Sequence, residues 1–171
     1  MPNATPYHFT DDGSIPNNPT LPMLVYPAAL NPATADLASA FEDLFAANQW
    51  TGGCWRNGIY SFPHYHSTAH EVLGIAAGQA QVRFGGQTGQ VLTVKAGDVA
   101  LLPAGCGHQN LDASPDLLVV GAYPPGPDWD LCRGESGERP HVLDNIAQVP
   151  LPATDPVGGT QGPVLEHWHG A

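Results

Sequence analysis

Charge is scarce in this 171-residue chain. Asp, Glu, Lys and Arg together supply 12% of it, about half the usual ~25%. Basic residues are scarcest: five against 16 acidic ones, for a net charge of −11 with histidine neutral. A field of that sign repels phosphate backbones and anionic headgroups, which argues against nucleic acid and membrane surfaces as partners. Cysteine is scarce too. Cys54, Cys106 and Cys132 are odd in number and far apart, so neither a disulfide framework nor a CxxC zinc ribbon is expected. No run of about 18 apolar residues offers a membrane span. The N-terminus lacks a basic region followed by an apolar stretch, so no secretory signal is expected and the reading is a soluble, cytoplasmic protein. Heptads of Glu, Lys and Leu are missing, which excludes a long coiled coil. The glycines have no three-residue period, which excludes collagen.

What is present is glycine, proline and enough apolar side chain for one core. Gly (20) and Pro (18) stand beside 42% hydrophobic residues. The length suits one domain. Residues 1–31 hold six prolines and no period, and predict an extended arm in which Pro22 to Tyr26 forms a short edge strand. Asn31-Pro32 reads as a helix N-cap followed by proline at the first helical position. Leu37, Phe41, Leu44 and Phe45 share a helical face, predicting an amphipathic helix over 33–48 that the Gly52-Gly53 pair ends. From there to Tyr123 the pattern is short apolar stretches between glycine turns: 54–62, 70–76, 80–84, 91–94, 99–102 and 117–123. Residues 85–89 read as a hairpin loop and 96–98 as a tight turn. Such a series predicts an all-β sandwich or small barrel, with 117–123, continuously apolar, buried on both faces. Prolines return after Tyr123, at Pro124, Pro125, Pro127 and five more places. The chain therefore divides into an N-terminal arm and helix (1–50), a barrel (51–123) and a C-terminal wrap (124–171) that holds one helical turn near Val142 to Val149. The tail Glu166-His167-Trp168-His169 reads as a polar chain end.

The stretch from Gly58 to Gly78 carries the chemistry. His64 and His66 are two apart, so on a strand they share a face. Glu71 follows after a bend long enough to start an adjacent strand. Two histidines and one carboxylate are the ligand type of open divalent-metal sites. His108 is the candidate fourth donor, from a distant strand. His70 is the rival for a ligand place, but alternation points it away from Glu71. If 54–66 runs as one strand, Arg56 and Tyr60 share the face of the two histidines. Arg56 could then anchor a substrate carboxylate or phosphate, and Tyr60 could act as an acid or hydrogen-bond donor. Cys106 reads as a small buried thiol.

These residues stand at the spacings Gly58-x5-His64-x-His66-x4-Glu71-x6-Gly78 and Gly97-x5-Pro103-x-Gly105-x2-His108. The two stretches resemble the first and second motifs of the cupin superfamily. The second motif ordinarily ends in Asn, where this chain has Asp112. The wider chain, with HYHSTAHE, GAYP and WDLCRGE, resembles the YjlB-like bacterial cupins. The resemblance implies a cupin-type double-stranded β-helix, or jelly roll, with one N-terminal helix and proline-rich arms. It further implies that His64, His66, Glu71 and His108 bind one divalent ion: Fe, Mn, Ni or Zn. Three neutral imidazoles and one carboxylate leave such a centre at +1.

The expected function is a metal-dependent enzyme on a small organic molecule, of dioxygenase type or of Lewis-acid isomerase or lyase type. The alternative is a metal-dependent module that binds or senses a small ligand without catalysis. Cupins often pair through sheet edges or exchanged N-terminal strands, so a homodimer is expected, with the arm at 1–31 as the exchanging segment.

Overall fold

The computed structural model describes residues 2–126 and 128–170; Pro127, counted above among the prolines of the C-terminal wrap, lies outside them. Two antiparallel sheets face each other. The nine strands are β1 (Thr5–Tyr7), β2 (Met23–Tyr26), β3 (Trp55–Asn57), β4 (Glu71–Ala77), β5 (Gln79–Phe84), β6 (Gln90–Lys95), β7 (Val99–Leu102), β8 (His108–Ala113) and β9 (Leu118–Ala122). The larger sheet runs β1-β2-β7-β4-β9-β3, the smaller β6-β5-β8.

Strand alternation explains both layers. In β5, Ala80, Val82 and Phe84 point inward and are buried, while Gln79 and Gln81 are exposed. The central strands β4 and β9 are covered on both faces. One face, with Val72, Val120 and Ala122, packs under the helix α1 (Leu37–Ala47) against Phe41 and Phe45. The other, with Leu73, Ile75 and Val119, closes on Ala80, Val82 and Phe84. Each buried phenylalanine stabilises the fold by about 1.5–3 kcal/mol through apolar transfer. Gly74 permits the close approach of α1: a Cβ there would stand 2.7 Å from Cγ of Phe41.

Several expectations are corrected. The helix begins at Leu37 rather than 33. Asn31 turns the chain instead, its Oδ1 accepting from Ala33 N at 3.0 Å. Asp36 is the N-cap, with Oδ1 accepting from Ser39 N at 3.1 Å and Oδ2 from the Ser39 hydroxyl at 2.7 Å; a short side chain that caps an N–H favours helix initiation there. The helix has already ended at Asn48, ahead of the glycine pair. The strand expected over 54–62 is only Trp55–Asn57. Beyond it the chain leaves the sheet, and pairing resumes as isolated bridges from His64 to His108 and from Tyr65 to Cys132. Strand β2 is not at the edge, since β1 pairs outside it. The hairpin loop at 85–89 and the turn at 96–98 stand as expected, joining β5 to β6 and β6 to β7.

The C-terminal segment folds back as α2 (His141–Gln148) and α3 (Pro163–His167). Its end is not a polar tail: Trp168 is buried and donates its indole N–H to Pro22 O at 2.9 Å. Asp155, fully buried, ties this segment to β2 by accepting from Tyr26 OH at 2.6 Å and from Val164 N at 2.9 Å. Among the described residues no helix is long and apolar enough to cross a membrane.

Candidate metal centre

Four side chains from three places in the sequence meet inside the barrel. Glu71 opens β4 on the inward face shared with Leu73 and Ile75. His108 opens β8 in the opposite sheet. His64 and His66 come from the irregular segment that bridges to His108. All four are buried. One nitrogen from each of His64, His66 and His108 lies within 4.8 Å of the others. Glu71 Oε2 is 3.1 Å from His66 Nε2 and 3.2 Å from His108 Nε2.

The backbone fixes how the rings point. His64 Nδ1 faces Phe62 O at 3.0 Å, His108 Nδ1 faces Cys106 O at 3.1 Å, and His66 Nδ1 faces Asp130 O in a short contact. A carbonyl only accepts, so each Nδ1 carries the hydrogen and donates it. The Nε2 atoms are then the ends left for the cluster, and those of His66 and His108 face Glu71. Carbonyl-bound Nδ1–H groups of this kind hold ligating imidazoles in tautomer and orientation.

Glu71 is braced on one oxygen only. Oε1 accepts from Tyr123 OH at 2.9 Å, and that hydroxyl accepts from Trp55 Nε1 at 3.1 Å. Oε2 is fully buried and has no hydrogen-bond donor of sound geometry, although two Nε2 atoms flank it. A carboxylate oxygen and neutral imidazole nitrogens converging without a donor between them is the donor set of a cation site. The residues present therefore fit a divalent metal ion.

The electrostatics agree. Burial works against a charged Glu71, yet His66 and His108 hold its carboxyl well below the ordinary carboxylate range. Burial likewise opposes a proton on His66, but the Glu71 carboxylate outweighs it and raises that pKa. Burial first, and His108 second, push His64 down to about 3. The pocket thus holds one ionised carboxylate among three imidazoles, and the proton that Glu71 favours on His66 is the one a bound cation would replace.

The other expected site residues are placed as follows. Tyr60 lies at the mouth, half exposed, with its ring edge-on to His64 at 5.2 Å between centroids. Arg56 reaches the rim of the cavity, but its guanidinium is held by Glu42 of α1, Nε to Oε1 at 2.6 Å and Nη2 to Oε2 at 2.9 Å. The parity argument that joined Arg56 and Tyr60 to the histidines required one continuous strand, and β3 stops at Asn57. His70 points away from the cluster. It is buried against Trp168, with ring centroids 4.8 Å apart, and its Nδ1 accepts from Ala104 N at 2.9 Å. Cys106 is a buried thiol whose pKa burial raises.

Three contributors stand in the GAYP and WDLCRGE stretches, which mark the resemblance but give these residues no role. Tyr123, Trp129 and Asp130 lie more than 40 residues beyond the first motif, so no local pattern links them to it. Trp129 stacks on Tyr123 at 5.8 Å and meets His66 edge-on at 5.4 Å. Asp130 holds His66 through its carbonyl and Ser67 N through its carboxylate at 2.6 Å. Tyr123 and Trp129 line a cavity of about 330 Å³ whose walls also include Trp55, Ile59, Tyr60 and Leu73.

Comparisons with known proteins agree with this geometry. The cupin family model matches residues 56–123. A relative from Bacillus subtilis (strain 168), the uncharacterised protein YjlB, is 41% identical over 162 residues, covering 95% of this chain and 94% of its own. A solved Klebsiella pneumoniae protein with a double-stranded β-helix domain aligns over 77% of this chain and 84% of its own, with 17% identity and a TM-score of 0.37. Acireductone dioxygenase from Bacillus anthracis, solved with a cadmium ion in its active centre, aligns over 54% of this chain at 15% identity, with a TM-score of 0.37. That alignment spans only 61% of the dioxygenase. Neither structural likeness is close enough to bear on chemistry. The two motifs, the paired sheets around four inward donors and the near full-length similarity to YjlB lead to one conclusion: this chain belongs to the cupin superfamily.

Proposed function

We propose that this cupin is a divalent-metal-dependent enzyme acting on a small organic molecule, with His64, His66, Glu71 and His108 as the metal ligands. The observation that carries the reading is Glu71 Oε2, buried without a donor and flanked by two imidazole Nε2 atoms at 3.1 and 3.2 Å. Bound there, an Fe, Mn, Ni or Zn ion would supply Lewis acidity or, for a redox-active metal, oxygen activation. The protein supplies the rest. Tyr123 holds its proton toward Glu71 Oε1 and keeps the carboxylate turned inward. Trp55 and Trp129 exclude water from the walls. Tyr60 is the polar group at the mouth and is assigned to substrate contact.

The cavity walls favour a mostly neutral, partly apolar substrate. Arg56 is assigned to an anionic substrate only if it leaves Glu42, and that pairing is bidentate. Beyond the four donors, the titratable groups lining the cavity are Arg56, Tyr60 and Tyr123. None is a carboxylate, an imidazole or an amine, the usual side-chain general bases. This favours dioxygenase-type or Lewis-acid chemistry on a chelating substrate over catalysis led by a side-chain base. The same scarcity also suits the second reading, a module that binds a small ligand without turning it over. The proposal includes a homodimer, whose mass by light scattering would be twice 18.0 kDa.

Metal analysis of protein purified without chelators is the first test. About one divalent ion per chain is expected, falling below a tenth in the His66→Ala plus His108→Ala variant. An unchanged metal content in that variant sinks the ligand assignment. Oxygen uptake and product analysis against thiols, catechols and diketones then separate the two readings. Turnover supports the enzyme; unchanged ligands recovered from the protein support the binding module.

A further inference from the structure

Five basic residues serve this acidic chain, and their distribution is uneven. Arg56 is paired with Glu42, and Arg139 with Asp11 at 2.7 Å. Arg83 and Arg133 make no ion pair among the described residues, and neither guanidinium has a hydrogen-bond acceptor there. Yet both line one hollow of about 200 Å³, which has His108 as a wall in common with the metal cavity. Lys95 sits elsewhere, at the end of β6.

The hollow is shaped to keep these two charges available. Arg133 lies flat over the Phe62 ring, its guanidinium carbon 3.8 Å from the centroid. Such a stack orients the planar cation while leaving its N–H edge open. Arg83 is half-buried on the outward face of β5. Gly86 and Gly107 line the hollow without side chains that would fill it. Asp12 also lines it, but its carboxylate is engaged by backbone: Oδ1 accepts from Ser14 N at 2.9 Å and Ile15 N at 2.7 Å, and Oδ2 from Gln87 N at 2.8 Å. Two guanidiniums with no carboxylate partner, in a chain with 16 acidic residues, line this one hollow, and an oxyanion entering it would supply the acceptors they lack.

We propose that the hollow formed around Arg83 and Arg133 is a binding site for a small oxyanion, a phosphate or carboxylate group, separate from the metal cavity. The forked N–H donors of arginine match both oxyanions, and the volume holds a group of that size. The site does not depend on the identity of the metal or on turnover.

Thermal-shift and calorimetric titrations with inorganic phosphate and with acetate test it, at ionic strength held constant with KCl. A saturable stabilisation is expected with at least one of the two, and the arm that shows it identifies the group. Arg83→Gln and Arg133→Gln should each weaken binding about tenfold, the scale of one lost charge-assisted hydrogen bond. The double variant should abolish it, and Lys95→Gln should leave it unchanged. If Arg83→Gln fails to fold, the exposed Arg133→Gln carries the test alone. The proposal is overturned if neither anion gives a saturable effect. It is equally overturned if binding survives the arginine substitutions, which would place the anion elsewhere, or if Lys95→Gln weakens it as much, which would reduce it to net charge.

Discussion

Tyr123 shows how much of the centre rests on single atoms. Its hydroxyl donates to Glu71 Oε1 while accepting from Trp55 Nε1. Tyr123→Phe removes that donor and leaves the carboxylate free to rotate. Metal affinity should fall about 10–100-fold, the usual effect of losing a group that orients a ligand, with stoichiometry intact; competition with a chromophoric chelator measures it. Retained affinity would mean that packing alone orients Glu71. The four inward donors were legible in the sequence, because two stretches resemble the cupin motifs that carry them. Tyr123 and Asp130 were not. They reach the site through a return of the chain, and nothing near His66 or Glu71 in sequence announces them. Arg56 is the instructive case: it reaches the cavity rim, but Glu42 holds its guanidinium. Strand parity put it beside the histidines, but parity holds only while a strand lasts, and β3 is three residues long.

At the scale of the element, α1 holds the large sheet from outside. Its contact is tightest at Gly74, where a Cβ would stand 2.7 Å from Phe41 Cγ. Gly74→Ala should therefore cost about 1–3 kcal/mol, the range for overpacking a well-filled core. Phe41→Ala should cost about 3–5 kcal/mol by leaving a cavity. Urea midpoints at constant m-value check both. The helix was legible from its apolar period, and most strands from alternation between glycine turns. The boundaries were less so. The sequence placed the N-cap at Asn31, an equally good capping residue, whereas Asp36 is the one whose side chain reaches a free N–H. The strand β8 was expected only as the distant strand that brings His108, and its extent was not legible because His108–Ala113 alternates weakly: it is buried at its first residue and half-buried or exposed beyond.

For the whole molecule, the C-terminal wrap is as structural as the barrel. Trp168 fills the core cluster beside Phe45 and Trp50. Trp168→Ala should lower stability by about 3–5 kcal/mol, read from chemical denaturation; an effect near zero would return the segment to a loose tail. A second tie in the wrap depends on pH. The Glu138 carboxylate accepts from Tyr65 OH at 2.5 Å, Arg133 N at 2.7 Å and Gly134 N at 3.0 Å. Partial burial would raise its pKa, but these donors prevail and hold it below the ordinary 4.5. A carboxyl lowered on folding favours the folded chain above its unfolded value and loses that contribution as pH falls through the folded one. Stability should thus decline below about pH 4.5, and Glu138→Gln should flatten that acid limb relative to the unsubstituted protein. Urea midpoints between pH 3 and pH 7 measure the difference.

The sequence by itself determined the class of fold and the four inward donors. Turn glycines and apolar alternation are local properties that a strand of period two converts into faces, and the motif spacings named the donors through their resemblance to those of cupins. Only the tertiary structure decided what surrounds those donors. It paired Arg56 with Glu42, brought Trp129 and Asp130 across the site, buried the chain end and left Arg83 and Arg133 sharing a hollow. Each of those outcomes depends on which distant segments meet, and that is settled by the packing of the whole core rather than by any local pattern of residues.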